Sequence, residues 1–499
     1  MTLKILGIAG SIRSRINRQL SELLIRNIRT ISDRQQLNEY LRILSVLPDK
    51  ADLKLPENYP TTLLDLYSKI ITKKRKKGLS NSEVALIAAL WEVSKRGVDI
   101  EYCALVDYFL PSQEHQDIEV LKRMVIEADA LLFSGPVYFG DRSSLVHEFI
   151  RMCRTDRELQ EHLKGKLYGG IAVGAKRNGG QETTLIYQVL DMTNLGLWAV
   201  GNDFETTSQY GGTCHAGDIG QMHIDNYGLS TSMSVGRRLA NLLMMVHGAP
   251  KIRGKIKVLF IILQEGCNIA KQQIDNLIKN FSSRIEATVI DATKLHLIRC
   301  LACDVCPKNI GIDEKYRCTV GRGDDLYKIH NQMLDQDALV PVTVSLADQL
   351  EVSSNYQIFM ERMRYLRRGD YVLADMMVAP LVFQELESFE YLEVRSITSL
   401  IRHQTVISKP IIGHLSSGKV LNESHVTNEF ETYLDSVERL TAARLYNAQE
   451  NGIVSQYCPV GYVVSAEKDK EQAQLELRGK ATKKRVERLK AQATLRLSK

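Results

Sequence analysis

The sequence predicts an α/β fold: two tandem, doubly wound parallel sheets followed by a basic helical tail. Three observations carry that reading. Apolar strand-like runs alternate with helical patterns, as in a parallel sheet covered on both faces. The alternation stops and then restarts after "KIRG" at 251–254. Beyond residue 464 the chain turns polar and basic, with no apolar face wide enough for a core. A length of 499 residues also exceeds the usual size of one domain.

The elements follow in order. "LKILGIAGS" (3–11) is a buried strand ending in Gly10-Ser11, and "VDIEYCAL" (98–105), "ADALLFSGPVY" (128–138) and "LYGGIAVGA" (167–175) are further strands. Helical patterns at 81–96 and 117–127 separate them. Residues 16–79 read as a helical insertion, broken by Pro48, Pro56 and Pro60 and closed by "KKRKK" (73–77). The pattern resumes with "KIKVLFIILQ" (255–264), "IEATVID" (285–291) and "DALVPVTVS" (337–345). The expected units are therefore 1–250, 251–463 and a tail from 464 to 499.

Composition narrows the class. Hydrophobic content of 44% and charged content of 25% are those of a soluble globular protein. No run spans a bilayer and the first residues do not resemble a secretory signal, so a cytoplasmic location without a membrane span is expected. Eleven Lys or Arg against five Asp or Glu from Glu467 onward give +6, the net charge of the whole chain. That tail and "KKRKK" are candidate contacts for nucleic acid or an anionic membrane. The tail lacks aromatics on which bases could stack, so it reads as a solvated helix and nucleic acid is not an expected partner. Nine cysteines in such a chain do not suggest a disulfide framework.

Three loops fall where strands of the first unit end, the usual place for a ligand. "GSIR" (10–13) offers small residues, a hydroxyl and a cation, which suit a phosphate. In "LSNSE" (79–83), Ser80 or Ser82 could cap the next helix and Asn81 could add a donor; a plain N-cap is the alternative. "SGPVYFGDRSSLVHEF" (134–149) offers a flat apolar surface with exposed backbone, or an ordinary turn with core aromatics. "GAKRNGGQETT" (174–184) presents backbone to something large and flat or anionic.

In order and spacing, these three loops resemble the FMN-binding loops of flavodoxin-like NAD(P)H-dependent FMN reductases. With "GGTCHAGDIG" (211–220), the third is similar to the quinone reductases and iron-sulfur flavoproteins of that superfamily. The resemblance covers about residues 1–247 and implies a flavodoxin-like fold for both units, the second degenerate. It implies that Ser11, Arg13, Asn81 and Ser82 hold the FMN phosphate. Pro136, Val137, Tyr138, Phe139 and Gly140 would line the ring and ribityl chain. Val173, Gly174, Ala175, Lys176, Arg177, Asn178, Gly179 and Gly180 would follow the isoalloxazine edge. A Cβ at Gly179 or Gly180 would hold the backbone off the ring. Lys176 and Arg177 could stabilise reduced flavin or grip a nicotinamide phosphate, or be solvated cations. Glu182 is read as a helix cap. Hydride transfer between stacked rings needs no acid or base from the protein, so no catalytic side chain is assigned, and His215 beside Cys214 is read as loop structure.

In the second half, Cys300, Cys303, Cys306 and Cys318 form C-x2-C-x2-C-x11-C. Three thiols two residues apart, followed by proline, match iron-sulfur ligation better than the paired ligands of zinc; an emptied relic is the third alternative. Iron-sulfur flavoproteins carry such a run after the second strand of this fold, ahead of an acidic pair like Asp324-Asp325. The second unit lacks the flavin loops, with "QEGCN" (264–268) and "VPVTVSLADQ" (340–349) in their places. The leading expectation is thus an FMN-dependent NAD(P)H oxidoreductase that passes electrons to a [4Fe-4S] cluster and an unknown acceptor. A quinone or small-molecule reductase with a scaffold second unit is one alternative. A non-catalytic flavin partner that feeds electrons to another enzyme is another. The family also implies a homo-oligomer.

Overall fold

The computed structural model describes residues 3–46, 60, 62–70, 78–109, 117–206, 208–303, 305–306, 309–349, 352–368, 371–388, 390–452 and 472–498. Pro48, Pro56 and the basic run 73–77 lie outside them. The chain divides into two compact units, Met1–Met244 and Met245–Lys499.

In the first unit, β1 (Lys4–Ala9), β2 (Asp99–Ala104), β3 (Ala130–Pro136) and β4 (Leu167–Gly174) form a parallel sheet. Its fifth position is shared by β5 (Trp198–Ala199) and β6 (Gly212–His215), both parallel to β4. The order is β2-β1-β3-β4-β5/β6, the second-first-third-fourth-fifth order of flavodoxin-like sheets. All eight residues of β4 are buried, as a strand covered on both faces must be. The registers set Ala9 beside Ser134, Pro136 beside Val173 and Gly174 beside His215. The loops that follow β1, β3, β4 and β6 therefore leave from one edge.

Helix Asn81–Ser94 packs on β1, β3 and β4 and is apolar nearly all round, with Ser82–Trp91 and Val93 buried. A helix of that kind needs cover on its outer side too. The insertion supplies it through helices Arg18–Thr30 and Arg34–Val46, and Trp91 Nε1 donates to the Ile31 carbonyl at 3.0 Å. A third inserted helix, Leu63–Ile70, follows.

The second unit contains β7 (Ile256–Gln264), β8 (Ile285–Asp291), β9 (Ala338–Ser345), β10 (Met377–Val378), β11 (Leu381–Glu385), β12 (Val406–Ile407), β13 (Ile411–Ser416) and β14 (Lys419–Val420). Its parallel order is β8-β7-β9, then β10/β11, then β12/β13, with β14 antiparallel at the edge. Pro380 and Pro410 fall in the gaps that split the last two positions, since proline cannot donate to a ladder. Counted this way, the order matches that of the first unit.

The tail corrects the sequence reading. Helix Gln472–Arg496 packs along helix Glu423–Glu450. Leu489, Ala493 and Leu497 cluster with Ala442, Leu445 and Ala448. Its inward arginines pair with acids: Arg485 with Asp313, Arg488 with Glu314 and Asp335, and Arg496 with Asp337. Lys480, Lys483, Lys484 and Lys490 face solvent. Among the described residues no helix is long and apolar enough to cross a membrane.

Candidate active site

The loops at the carboxyl edge of the first sheet enclose a cleft of about 420 Å³, within the range of small-molecule sites. Of the residues expected to bind a cofactor, Ser11, Arg13, Asn81, Ser82, Pro136, Val137, Tyr138, Val173 and Ala175 line it together. Arg15, Gly78, Leu79, Ser80 and the segment Ala216–Ile219 also line it and were not expected. Phe139, Gly140, Gly174, Lys176, Arg177, Asn178, Gly179 and Gly180 are not on its wall. One end of the cleft is polar and cationic, with Ser11, Arg13 and Arg15 beside the N-terminus of helix Asn81–Ser94. The rest of the lining includes Pro136–Tyr138, Val173 and Ala175.

Glu83 organises the polar end. Its side chain is wholly buried. Oε1 accepts from the Arg15 and Ile16 amides at 2.7 and 2.9 Å and from the Tyr102 hydroxyl at 3.0 Å. Oε2 accepts from the Ser80 amide at 2.8 Å, while Ser80 Oγ caps the Glu83 amide, forming a capping box. Burial pushes the Glu83 carboxyl up from its ordinary range, and the Ile16, Ser80 and Arg15 amides pull it part of the way back. One carboxylate thus ties the loop after β1 to the helix start, across the whole insertion. The insertion braces the same segment: Leu79 N donates to the Leu44 carbonyl at 3.0 Å. Asn81 lines the cleft and also binds its neighbouring wall. Its Oδ1 accepts from the Gly220 and Met222 amides at 3.2 and 3.3 Å, and its Nδ2 donates to the Asp218 carbonyl at 3.1 Å. It holds the 218–222 wall in place.

Other loops are stitched by backbone and hydroxyl contacts. Gly10 N donates to the Ser134 carbonyl at 2.8 Å, and Ser143 Oγ donates to that of Gly10 at 2.5 Å. Tyr138 and Asp141 exchange two backbone hydrogen bonds around Phe139 and Gly140, both with positive φ. That tight turn leaves the Phe139 ring fully exposed instead of on the cleft wall.

The loop after β4 is locked by Gln181, a residue the sequence reading did not single out. Buried Gln181 accepts from the Gly179 amide at 2.8 Å and donates to the Lys176 and Cys214 carbonyls at 2.6 and 2.9 Å. The fold itself requires the glycines. Gly180 has φ +96°, and a Cβ there would stand 2.8 Å from Gly140 Cα; at Gly179 it would stand 2.9 Å from the Lys176 carbonyl oxygen. The crowding comes from the protein itself. Gly180 also occupies the N-cap position, so Glu182 is not the cap. Arg177 pairs with Asp225, donates to the Thr213 carbonyl at 3.2 Å and stacks on Tyr227. Cys214 is buried, contacts Ser232 Oγ at 3.2 Å and has its thiol pushed up to about 12 by burial, while His215 N is bound by Asp225. This pair is structural.

In the second unit the cysteine run follows β8, the second strand of its sheet. Cys300 Sγ lies 3.9 Å from Arg364 Nη1, and Cys303 Sγ lies 3.2 Å from Thr319 Oγ1. Burial pushes the Cys306 thiol up to about 11, with neighbouring Cys318, Cys303 and Cys300 adding to the rise and Arg368 opposing it. Cys306 thus lies within electrostatic reach of the other three thiols. Among the described residues, however, no three His, Cys, Asp or Glu side chains are arranged to hold a metal ion. Four cysteine donors suit an iron-sulfur cluster chemically. The acidic pair ties the base of the run: Asp324 accepts from Ile298 N and Asp325 from His296 N, both at 2.7 Å.

Comparison with known proteins accords with this geometry. A family model described as NADPH-dependent FMN reductase matches residues 70–209, a span that begins beyond most of the insertion and includes helix Asn81–Ser94 and the loops after β3 and β4. An iron-sulfur flavoprotein of Methanocaldococcus jannaschii is 31% identical over 181 residues, covering 33% of this chain and 92% of the relative. The chain belongs to the NAD(P)H-dependent FMN reductase and iron-sulfur flavoprotein family. An NAD(P)H dehydrogenase (quinone) of Caulobacter vibrioides is 28% identical over 145 residues, covering 27% of this chain and 72% of its own. An iron-sulfur flavoprotein of Archaeoglobus fulgidus is 26% identical over 169 residues, covering 30% and 83%. Membership makes the protein an oxidoreductase of the flavin-dependent NAD(P)H type.

Proposed function

We propose that the first unit binds FMN in its cleft and uses it to take reducing equivalents from NAD(P)H, passing them on to a separate acceptor. The observation that carries this reading is the cleft at the carboxyl edge of a doubly wound sheet, whose lining joins cationic and hydroxyl-bearing residues to apolar ones. FMN would supply the hydride chemistry of its isoalloxazine ring. Ser11, Arg13 and Arg15, with the amides at the start of helix Asn81–Ser94, would hold the phosphate, because the helix N-terminus and two cations meet its charge. Glu83 would keep those groups in place. Pro136–Tyr138 and Val173–Ala175 would support the ring by backbone and apolar contact, and Gln181 would keep the loop after β4 rigid.

The second unit, in this reading, is a degenerate copy of the first in which Cys300, Cys303, Cys306 and Cys318 would hold a [4Fe-4S] cluster that relays electrons to the acceptor. The donor set supports that assignment. A second reading has the similarity to an NAD(P)H dehydrogenase (quinone) in its favour: a quinone or small-molecule reductase whose second unit is scaffold. Purification without oxygen, followed by a visible spectrum and iron and sulfide analysis, separates the two. The relay reading expects a flavin band, a broad iron-sulfur shoulder and about four irons per chain. A flavin band without iron would leave the reductase with a scaffold unit.

A further inference from the structure

We propose that Asp313 is the positioning residue of the cysteine run and that the C-terminal helix Gln472–Arg496 holds it there. The inference rests on reading Cys300, Cys303, Cys306 and Cys318 as one site, whatever occupies it.

The stretch from His296 to Asp325 contains no helix or strand among the described residues. Irregular stretches that long are uncommon in a compact unit unless they serve a function, and something must offset the entropy of ordering them. One anchor is at the base, where Asp324 pairs with Arg362 at 2.5 Å with both side chains wholly buried. Arg362 Nη2 also donates to the Tyr316 hydroxyl at 2.5 Å, two residues before Cys318.

The other anchor is Asp313, inside the eleven-residue interval between Cys306 and Cys318. Its carboxylate accepts from Arg485 Nε and Nη2 at 2.7 and 2.8 Å, and from Arg488 Nη2 at 3.0 Å. Its carbonyl oxygen lies 2.8 Å from His330 Nε2. The Asp313 and Arg485 side chains are only 4% and 8% exposed, so this pair sits where charge pairing is least screened by solvent. Arg488 extends the grip to Glu314 at 2.7 Å.

The helix is itself fixed by Leu489, Ala493 and Leu497 in the apolar cluster and by backbone bonds at its end, Arg253 N to the Arg496 carbonyl at 2.6 Å and Ser498 N to that of Lys251 at 3.0 Å. The division of labour among its cations matches the proposal. Arg485 and Arg488, whose planar forks match a carboxylate, face the loop, while Lys480, Lys483, Lys484 and Lys490 face water. Two of the tail's cations are thus countercharge for a loop of this same chain. Arg485 reaches Asp313 across 172 residues and fixes the interval that must fold back for the fourth cysteine to join the first three.

The test is residue-resolved alkylation of the full chain by iodoacetamide, read by mass spectrometry, for wild type, Asp313→Asn, Arg485→Met and Arg485→Lys. Cys306 and Cys318 are half-buried, Cys267 is exposed, and Cys103, Cys153 and Cys214 are buried in the first unit, so the chain carries its own references. Asp313→Asn and Arg485→Met are expected to speed labelling of Cys306 and Cys318 at least tenfold, with Cys267 unchanged and the first-unit thiols still protected. Arg485→Lys, which keeps the charge and loses the fork, should fall between wild type and Arg485→Met. Unchanged rates at Cys306 and Cys318 would overturn the proposal. So would acceleration at every cysteine together in all three variants, since the pair would then support the fold at large. Iron analysis of the same preparations keeps the questions apart: wild type without iron would count against the cluster while leaving the labelling result to judge Asp313.

Discussion

Glu83→Ala is expected to abolish retention of FMN during purification and to lower stability by roughly 3 kcal/mol or more. The side chain is fully buried and serves four donors: the Arg15, Ile16 and Ser80 amides and the Tyr102 hydroxyl. Each buried donor left without a partner costs about 1–3 kcal/mol, and only part of that is recovered if water enters. The loss falls on the site because the freed amides belong to the loop after β1 and to the start of helix Asn81–Ser94. Glu83→Gln should be milder, since an amide oxygen can still serve one side of the network while its NH2 group meets a donor on the other. Urea unfolding together with FMN titration of the two variants checks both halves of this expectation. An alanine variant that keeps wild-type affinity for FMN would remove Glu83 from the account of the site.

Gly78→Ala should cost about 2–3 kcal/mol and weaken FMN binding at least tenfold, about 1.4 kcal/mol of affinity. A Cβ at Gly78 would overlap the Leu44 carbonyl oxygen and stand 2.6 Å from that of Ser45. Both are backbone atoms at the end of helix Arg34–Val46, so relief requires the helix or residues 78–82 to move. The same helix end approaches the 218–222 wall, since a Cβ at Gly220 would lie 3.1 Å from the Ser45 carbonyl oxygen. The insertion therefore sets the spacing of two walls of the cleft. Thermal unfolding and FMN titration of Gly78→Ala test this, and a variant with normal stability and normal affinity would show that the insertion does not brace the site.

The strands were legible because buried parallel strands are short, continuous apolar runs, as in "KILGIA" and "LYGGIAVG". The loops were legible because glycine, proline and hydroxyl residues collect where these strands end. Glu83 could have been found: Ser80-x-x-Glu83 is a capping-box pattern, but its bonds to Arg15 and Ile16 cross 68 and 67 residues and leave no local trace. The buttress at Gly78 has the same origin, since a glycine gives no sign of which distant carbonyl it must admit. The protein partners of Arg177 and Asn81 were not legible, because a cation or an amide in a loop looks available until they are seen. The docking of the tail was hidden by its chemistry. The buried positions Arg478, Ala481, Arg485, Leu489, Ala493 and Leu497 recur at helical spacing, but two of the six are arginines and two are alanines. Read by hydropathy, that stripe vanishes; read with Asp313 in place, it is one face of a helix.

The most direct test of the central claim is an anaerobic titration of the purified protein, loaded with FMN, by NADPH and separately by NADH, followed at the flavin absorbance band. The account predicts that the chain retains one FMN and that one of the two nucleotides bleaches the band, with both properties lost in Glu83→Ala. A chain that fails to retain added FMN, or a bound flavin that neither nucleotide reduces, would contradict it.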